Sequence, residues 1–261
     1  MVEAFKELRD SNYLESVKKA FEHYSTIYYH GVDQGASHSG STPVTTHRTS
    51  GISKEYLVFF ANWMSQALSA FYLCTHPKLS QEQQLQEEVA TQPPTTPSTP
   101  KGDLKQVRKE MRHFVFDLHD RIVAKGYYEK LRKYPRFAST VEVACALEGI
   151  CDALAILLAH DEEEMESLRE SESEAEREEE EEDEGRKERY VDAVSVAVEF
   201  LLKVQKREGH GMGGFGYSLR HPIQRVDVTG HVANAFMKVL RLLIFGPAEE
   251  TEDTPEPSIH L

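Results

Sequence analysis

The chain has 261 residues, of which 39% are hydrophobic, and its formal net charge is −14 at pH 7. Residues 161–188 contain 17 acidic and 4 basic side chains, so this one segment carries nearly all of the net charge. The rest of the chain is close to neutral, and since affinity for phosphates needs clustered Lys and Arg, we expect no nucleic acid partner.

Six segments have the apolar spacing of three to four residues that is typical of helices. They run from Tyr13 to Tyr28, Ser53 to Leu73, Leu104 to Val123, Thr140 to Ala159, Tyr190 to Val204 and Thr229 to Phe245. The second, fourth and sixth are apolar around most of their circumference, which indicates burial on several sides. We therefore predict an all-α fold of three antiparallel helical hairpins in two layers.

Two segments between these helices have compositions that do not favour a packed core. One is rich in Pro and Thr, and the other is acidic with few apolar residues. We predict a first hairpin over 1–77, a Pro/Thr-rich linker over 78–103, a second hairpin over 104–160, an acidic disordered insertion over 161–188, a third hairpin over 189–246 and a disordered tail over 247–261.

The three cysteines have no CxxC spacing, which indicates free thiols in a reducing compartment. The N-terminal sequence has no apolar segment typical of a secretory signal. The longest apolar run, residues 141–159, carries three carboxylates, so it is predicted to be a core helix. We expect a cytoplasmic protein without a membrane span.

Similar junctions precede the three apolar helices. The motifs HRTSGIS, PRFAST and QRVDVT each place an Arg (Arg48, Arg136 and Arg225) four or five residues before a Ser or Thr that could cap the helix. A repeat of helical hairpins indicates an α-solenoid or a closed α/α-toroid. The alternative is that three capped helices follow three arginines by coincidence.

The third hairpin resembles the repeat of squalene/terpene cyclases and protein prenyltransferases over residues 198–240. The shared features are Gln205 at the end of the outer helix, a Gly-Gly-aromatic turn at residues 213–216 and an Asp-X-Thr junction at residues 227–229. The resemblance implies the α/α-toroid fold, an architecture that six-hairpin carbohydrate-active enzymes share. Phe215 would pack between adjacent hairpins, and Phe215 and Tyr217 are predicted to contact a ligand.

The resemblance does not extend to chemistry, because the cyclase acid motif is absent and the prenyltransferase zinc set of Asp, Cys and a distant His has no match. Two functions therefore stay open. One is an enzyme, or a degenerate relative of one, that acts on an isoprenoid or a glycan in a central cavity. The other is a helical-repeat scaffold that binds a peptide or protein, with self-association completing the toroid.

The three junction arginines are predicted to lie at one mouth of the fold. Together with three helix N-termini, Arg48, Arg136 and Arg225 would favour an anionic group of the ligand. The alternative is that each Arg binds a nearby carboxylate, which for Arg225 is Asp227, and only holds its loop.

Three residues are candidates for acid–base catalysis. Asp227 and His231 are one helical turn apart and could act as an acid–base pair or as metal ligands. Glu142 lies among apolar residues, where burial would raise the pKa of its carboxyl and suit a general acid. Glu148 lies on a different side of the same helix. A capping Asp one turn before a His is also common in purely structural roles.

A metal site or a cofactor is not predicted. The histidines and Asp33 in the loop around residues 30–47 match no compact zinc motif. The glycine-rich run at residues 209–216 has no GK[ST] and no preceding strand, which argues against a phosphate-binding loop.

Overall fold

The computed structural model describes residues 11–33, 56–75, 101–167 and 174–245, and most of these residues are helical. No β-strand occurs in these ranges, where pairing of the β type is confined to two isolated bridges, Gln205 with Phe215 and Gly216 with Gln224. The predicted all-α class is therefore confirmed. The prediction of a hairpin repeat is not tested by the helix content alone.

Seven α-helices and one 3₁₀ turn make up this part of the chain. They are α1 (Ser11–Asp33), α2 (Leu57–Cys74), α3 (Lys101–Ala124), α4 (Tyr127–Lys133), the 3₁₀ turn (Pro135–Phe137), α5 (Thr140–Ser167), α6 (Glu174–Val204) and α7 (Val226–Phe245). Helix α4 was not predicted, because seven residues are too few to show a helical period. It follows Gly126, whose φ of 66° suits glycine at the turn out of α3.

Helix α5 is the centre of the fold. It packs most extensively against α2 and α7, then against α6, with a smaller contact to α3. Every residue from 143 to 151 is buried, as expected for a helix that is apolar on nearly all sides. Helix α1 covers α3 on the outside, where the ring of Phe114 meets Phe21 and Tyr28 edge to face at 5.6 and 5.3 Å.

Within the segment predicted as a disordered acidic insertion over 161–188, the described residues are helical: α5 continues to Ser167 and α6 begins at Glu174, while residues 168–173 lie outside the described residues. The end of this segment also packs: Arg186 is buried over the Phe116 ring and binds Asp120 at 3.1 Å and Asp183. The dense negative charge is thus partly neutralised by a buried guanidinium from the same segment, a pairing that composition does not reveal.

The end of the predicted linker and two predicted helix caps also differ from the structure. The linker over 78–103 ends earlier than predicted, because α3 begins at Lys101; residues 78–100, Arg48 and the tail over 247–261 lie outside the described residues. Thr140 does not cap α5, since its hydroxyl is buried without a partner among the described residues. Thr229 lies inside the first turn of α7, where its hydroxyl accepts a hydrogen bond from the Phe215 amide at 3.4 Å.

Three helices meet closely at Gly149 of α5. A Cβ at this position would lie 2.9 Å from Cε1 of His119 on α3 and 3.0 Å from the Cα of Asn62 on α2. His119 itself is fully buried, with Nε2 at 2.8 Å from the Ser65 hydroxyl, and burial lowers its pKa to about 3. The helix spacing around α5 therefore requires glycine and a neutral imidazole.

We expect Gly149→Ala to lower the free energy of unfolding by about 1–3 kcal/mol, because overpacking outweighs the gain in helix propensity. Gly230→Ala on α7 is the matched control, since a Cβ there meets nothing within 4 Å. It should stabilise the protein by up to about 1 kcal/mol. Urea denaturation followed by circular dichroism measures both. Equal stabilisation by the two variants would contradict the close approach at Gly149.

We also expect stability to depend on pH through His119. The folded state binds fewer protons here than the unfolded state between the unfolded pKa of about 6.5 and the folded pKa of about 3. The contribution of His119 to the free energy of unfolding is therefore complete above pH 6.5. It falls by about 1.4 kcal/mol per pH unit as the pH decreases between these two pKa values. Urea titrations should show that the free energy of unfolding declines less steeply with decreasing pH in His119→Gln than in the wild type. The exposed His221→Gln is the control and should decline like the wild type. Equal slopes in all three proteins would contradict this assignment.

Candidate functional site

Polar side chains face one another across α2, α5 and α7. Each helix contributes three of them at spacings of three or four residues, which places them on one side of the helix. We call this set the polar seam: Asn62, Gln66 and Ser69 from α2, Cys145, Glu148 and Asp152 from α5, and His231, Asn234 and Lys238 from α7.

Glu148 is at the centre of the polar seam and is 1% exposed. Its Oε2 accepts hydrogen bonds from Nε2 of Gln66 and Nδ2 of Asn234, both at 2.8 Å, and its Oε1 lies 2.9 Å from Nδ1 of His231. One carboxylate therefore joins all three helices. Among the described residues no Lys or Arg forms an ion pair with it, and His231 is the ionisable base within hydrogen-bond distance of it.

Cys145 lies one turn before Glu148, with its Sγ 3.7 Å from Nδ1 of His231. Burial, with a further contribution from the nearby Glu148 charge, raises the pKa of the Cys145 thiol to about 12. The unliganded thiol is thus a poor nucleophile at neutral pH. Because Sγ and Glu148 share the same ring nitrogen, the three residues do not form a Cys–His–carboxylate relay, which needs both nitrogens.

The same three residues have the donors of a metal site. Ligand atoms of Cys145, Glu148 and His231 all lie within 4.8 Å of one another. Sulfur, nitrogen and carboxylate oxygen are the donors that zinc prefers. The side-chain amides of Gln66 and Asn234 donate hydrogen bonds to the other oxygen of the Glu148 carboxylate, Oε2, and so fix its orientation. Hydrogen-bond partners of metal ligands commonly have this role. His231 is 39% exposed, so the cluster is reachable from solvent.

The polar seam ends in an ion pair between Lys238 and Asp152. Nζ of Lys238 lies 2.5 Å from Oδ2 of Asp152, and the two side chains are only 15% and 13% exposed. Together with Glu148, this pair makes the contact between α5 and α7 polar along two turns.

Glu142 lies outside the cluster, in a cleft at the N-terminal end of α5. The cleft has a volume of about 570 Å³ and is lined by Tyr127, Lys130, Leu131, Tyr134, Phe137, Ala138 and Glu142. Burial raises the pKa of the Glu142 carboxyl, while a hydrogen bond with Tyr127 opposes the shift. The structure therefore places this predicted general acid near a cavity but not beside His231.

Asp227 and His231, predicted as a pair, have different hydrogen-bond partners in the structure. Asp227 binds Arg225 through two hydrogen bonds of 3.0 and 2.6 Å, while His231 turns to Glu148. Arg225 thus follows the structural alternative, in which it holds its own junction. Phe215 is 5% exposed and packs edge to face on Phe236 at 5.9 Å, so it belongs to the core and is not placed to contact a ligand.

The second predicted junction lies beside the loop that precedes the third. The Thr140 amide donates to the Tyr217 carbonyl at 2.9 Å, and the Arg220 guanidinium lies 4.4 Å from the centre of the Phe137 ring. Tyr217 is 38% exposed and Arg136 is exposed, so both remain accessible at this end of the fold.

The sequence pattern predicts His231 as a site residue but not the polar seam as a whole, because the helical period of α2 and α7 is carried by their apolar residues. The signal that could have found it is the recurrence of polar residues every three or four positions inside apolar helices. Gln66 and Asn234 fit that pattern, but nothing local indicates that both bind Glu148.

No protein-family model, curated protein or solved structure matches the chain. The resemblance to the cyclase and prenyltransferase repeat therefore stays an expectation. None of the helices described has the length and hydropathy needed to cross a membrane.

Proposed function

We propose that this chain is a zinc-dependent enzyme domain whose metal is held by Cys145, Glu148 and His231. The observation that carries the proposal is the convergence of these three donors within 4.8 Å on neighbouring helices. A set of three protein ligands leaves a fourth position for a substrate or water, which is typical of catalytic zinc sites and not of structural ones.

The charge of the cluster supports a bound cation. Glu148 is buried, and its amide partners Gln66 and Asn234 are neutral. A buried carboxylate is costly unless a positive charge compensates it. Zinc would provide that charge and would also favour the thiolate form of Cys145, since metal binding displaces the thiol proton. At such a position the ion supplies Lewis acidity.

The side chains around the cluster favour a polar substrate. Gln66, Asn234 and the Asp152–Lys238 pair line the polar seam next to His231. Amide and charged groups bind hydroxyls well and suit an apolar hydrocarbon poorly. Of the two substrate classes that the sequence leaves open, we propose a glycan or another polyol over an isoprenoid.

The partial α/α-toroid is part of the same proposal. The helices predicted to form the inner layer, α2, α5 and α7, are neighbours with α5 in the middle, and their polar residues face one another. This arrangement supports an inner wall of a toroid that holds the site.

A scaffold that binds a protein or a second copy is the other candidate. It is supported by four apolar residues on α7 that are between 49% and 75% exposed, namely Met237, Leu240, Leu243 and Ile244. Exposed apolar patches of this kind often mark interaction sites. A scaffold has no need for a metal, so metal content separates the two functions.

We expect the purified protein to bind one zinc ion per chain, measured by mass spectrometry of the metal after dialysis. Cobalt substitution should give a thiolate-to-metal charge-transfer band that is absent in Cys145→Ser. Asn234→Leu, which removes one hydrogen bond to Glu148, should weaken zinc binding by about 10-fold to 100-fold.

Asp227→Asn is the matched control, because Asp227 lies on the same helix as His231 but binds Arg225. It should leave zinc affinity unchanged. The metal site would be refuted, and the scaffold favoured, if the wild-type protein did not bind zinc. The same would follow if Cys145→Ser and His231→Ala bound zinc as tightly as the wild type.

A further inference from the structure

One end of the fold is basic, although the chain as a whole is strongly acidic. Residues 125–140 and 217–227 contain seven Lys or Arg and two Asp or Glu, in a chain with net charge −14. The two segments adjoin through the hydrogen bond from the Thr140 amide to the Tyr217 carbonyl. This surface is therefore one face, formed by α4, the 3₁₀ turn and the loop before α7.

Four cations on this face have no carboxylate partner among the described residues. Lys130 donates to the Lys125 carbonyl, and Nζ of Lys133 lies 5.3 Å from the centre of the Tyr134 ring. Arg220 lies over the Phe137 ring, and Arg136 is exposed beside it. Unneutralised basic residues that are placed together favour an anionic partner.

The same face exposes apolar side chains between the cations. Phe137 is 74% exposed, Ile223 71% and Tyr134 52%. Water does not favour aromatic and aliphatic groups at such exposure, whereas the boundary between lipid headgroups and acyl chains does. Tyr134 and Phe137 of this face also line the cleft that contains Glu142.

We infer that this face, defined by Lys130, Lys133, Tyr134, Arg136, Phe137, Arg220 and Ile223, binds the surface of an anionic lipid membrane. The cations meet the lipid headgroups, and Phe137 and Ile223 insert at the boundary with the acyl chains. The exposed apolar side chains favour a membrane over a nucleic acid, which would need only the charges.

The first part of the acidic segment lies far from this contact, because α5 runs from Thr140 at the basic face to Ser167. At 1.5 Å per residue these ends are roughly 40 Å apart, several times the screening length of about 8–10 Å at physiological salt. The second part lies on α6, which packs against α4, where Asp192 binds Arg132 at 2.8 Å, so Arg132 is left out of the cations that meet the headgroups. The inference is independent of the proposed zinc site.

The test is sedimentation of the full chain with phosphatidylcholine vesicles that do or do not contain about 30% phosphatidylserine. We expect binding only to the anionic vesicles, and a decrease when NaCl rises from about 0.1 to about 0.5 M. Arg136→Glu with Arg220→Glu should weaken binding by roughly 25-fold or more, because each basic residue contributes roughly fivefold. Phe137→Ser with Ile223→Ser should also weaken it.

Lys19→Glu with Lys105→Glu is the matched control, since these exposed lysines lie on α1 and α3, away from the basic face. It should bind like the wild type. Thermal unfolding checks that each variant is folded, and Phe137→Trp in a Trp63→Phe background should show a shift of emission to shorter wavelength on anionic vesicles. Equal binding to both vesicle types would overturn the inference. An equal loss of vesicle binding in the Lys19→Glu, Lys105→Glu control would also overturn it, as would binding to an oligonucleotide without binding to vesicles.

Discussion

A buried carboxylate constrains the arrangement of the three central helices. Glu148 can be tolerated in the core only if each oxygen finds donors, and these come from α2 through Gln66 and from α7 through His231 and Asn234. Hydrogen bonds restrict distance and direction more strictly than apolar contacts do. A shift of α2 or α7 by one turn would leave the charge without its partners, so Glu148 fixes the register of both helices on α5.

This constraint explains why polar groups converge within helices whose sequence is mostly apolar. The rest of α5 between residues 143 and 151 is buried in close packing, with Gly149 allowing α2 and α3 to approach. The groups that satisfy Glu148 also bring Cys145 and His231 within reach of one ion. A polar network in the core is costly when it is incomplete, and a bound cation would complete this one. The stability of the core and the proposed function thus depend on the same few side chains.

Much of the fold could be predicted from the sequence, because amphipathic and buried helices have distinct periods. The six long helices were found in this way, and α5 was correctly predicted as a core helix. Shorter and charged elements could not be predicted. Helix α4 is too short for periodicity, and the acidic part of α6 packs through Arg186, whose partner Asp120 is 66 residues away. The site was reached only in part. His231 was identified, but its partner Glu148 lies 83 residues away and no local pattern joins them.

The most direct test of this account is a crystal structure of the zinc-soaked protein, with anomalous diffraction recorded on both sides of the zinc absorption edge. The account predicts one anomalous peak at about 2.3 Å from Sγ of Cys145 and about 2.0–2.2 Å from Nδ1 of His231 and Oε1 of Glu148, with Gln66 and Asn234 still bonded to the other carboxylate oxygen. An intact hydrogen bond between His231 and Glu148 with no peak beside it would contradict the account.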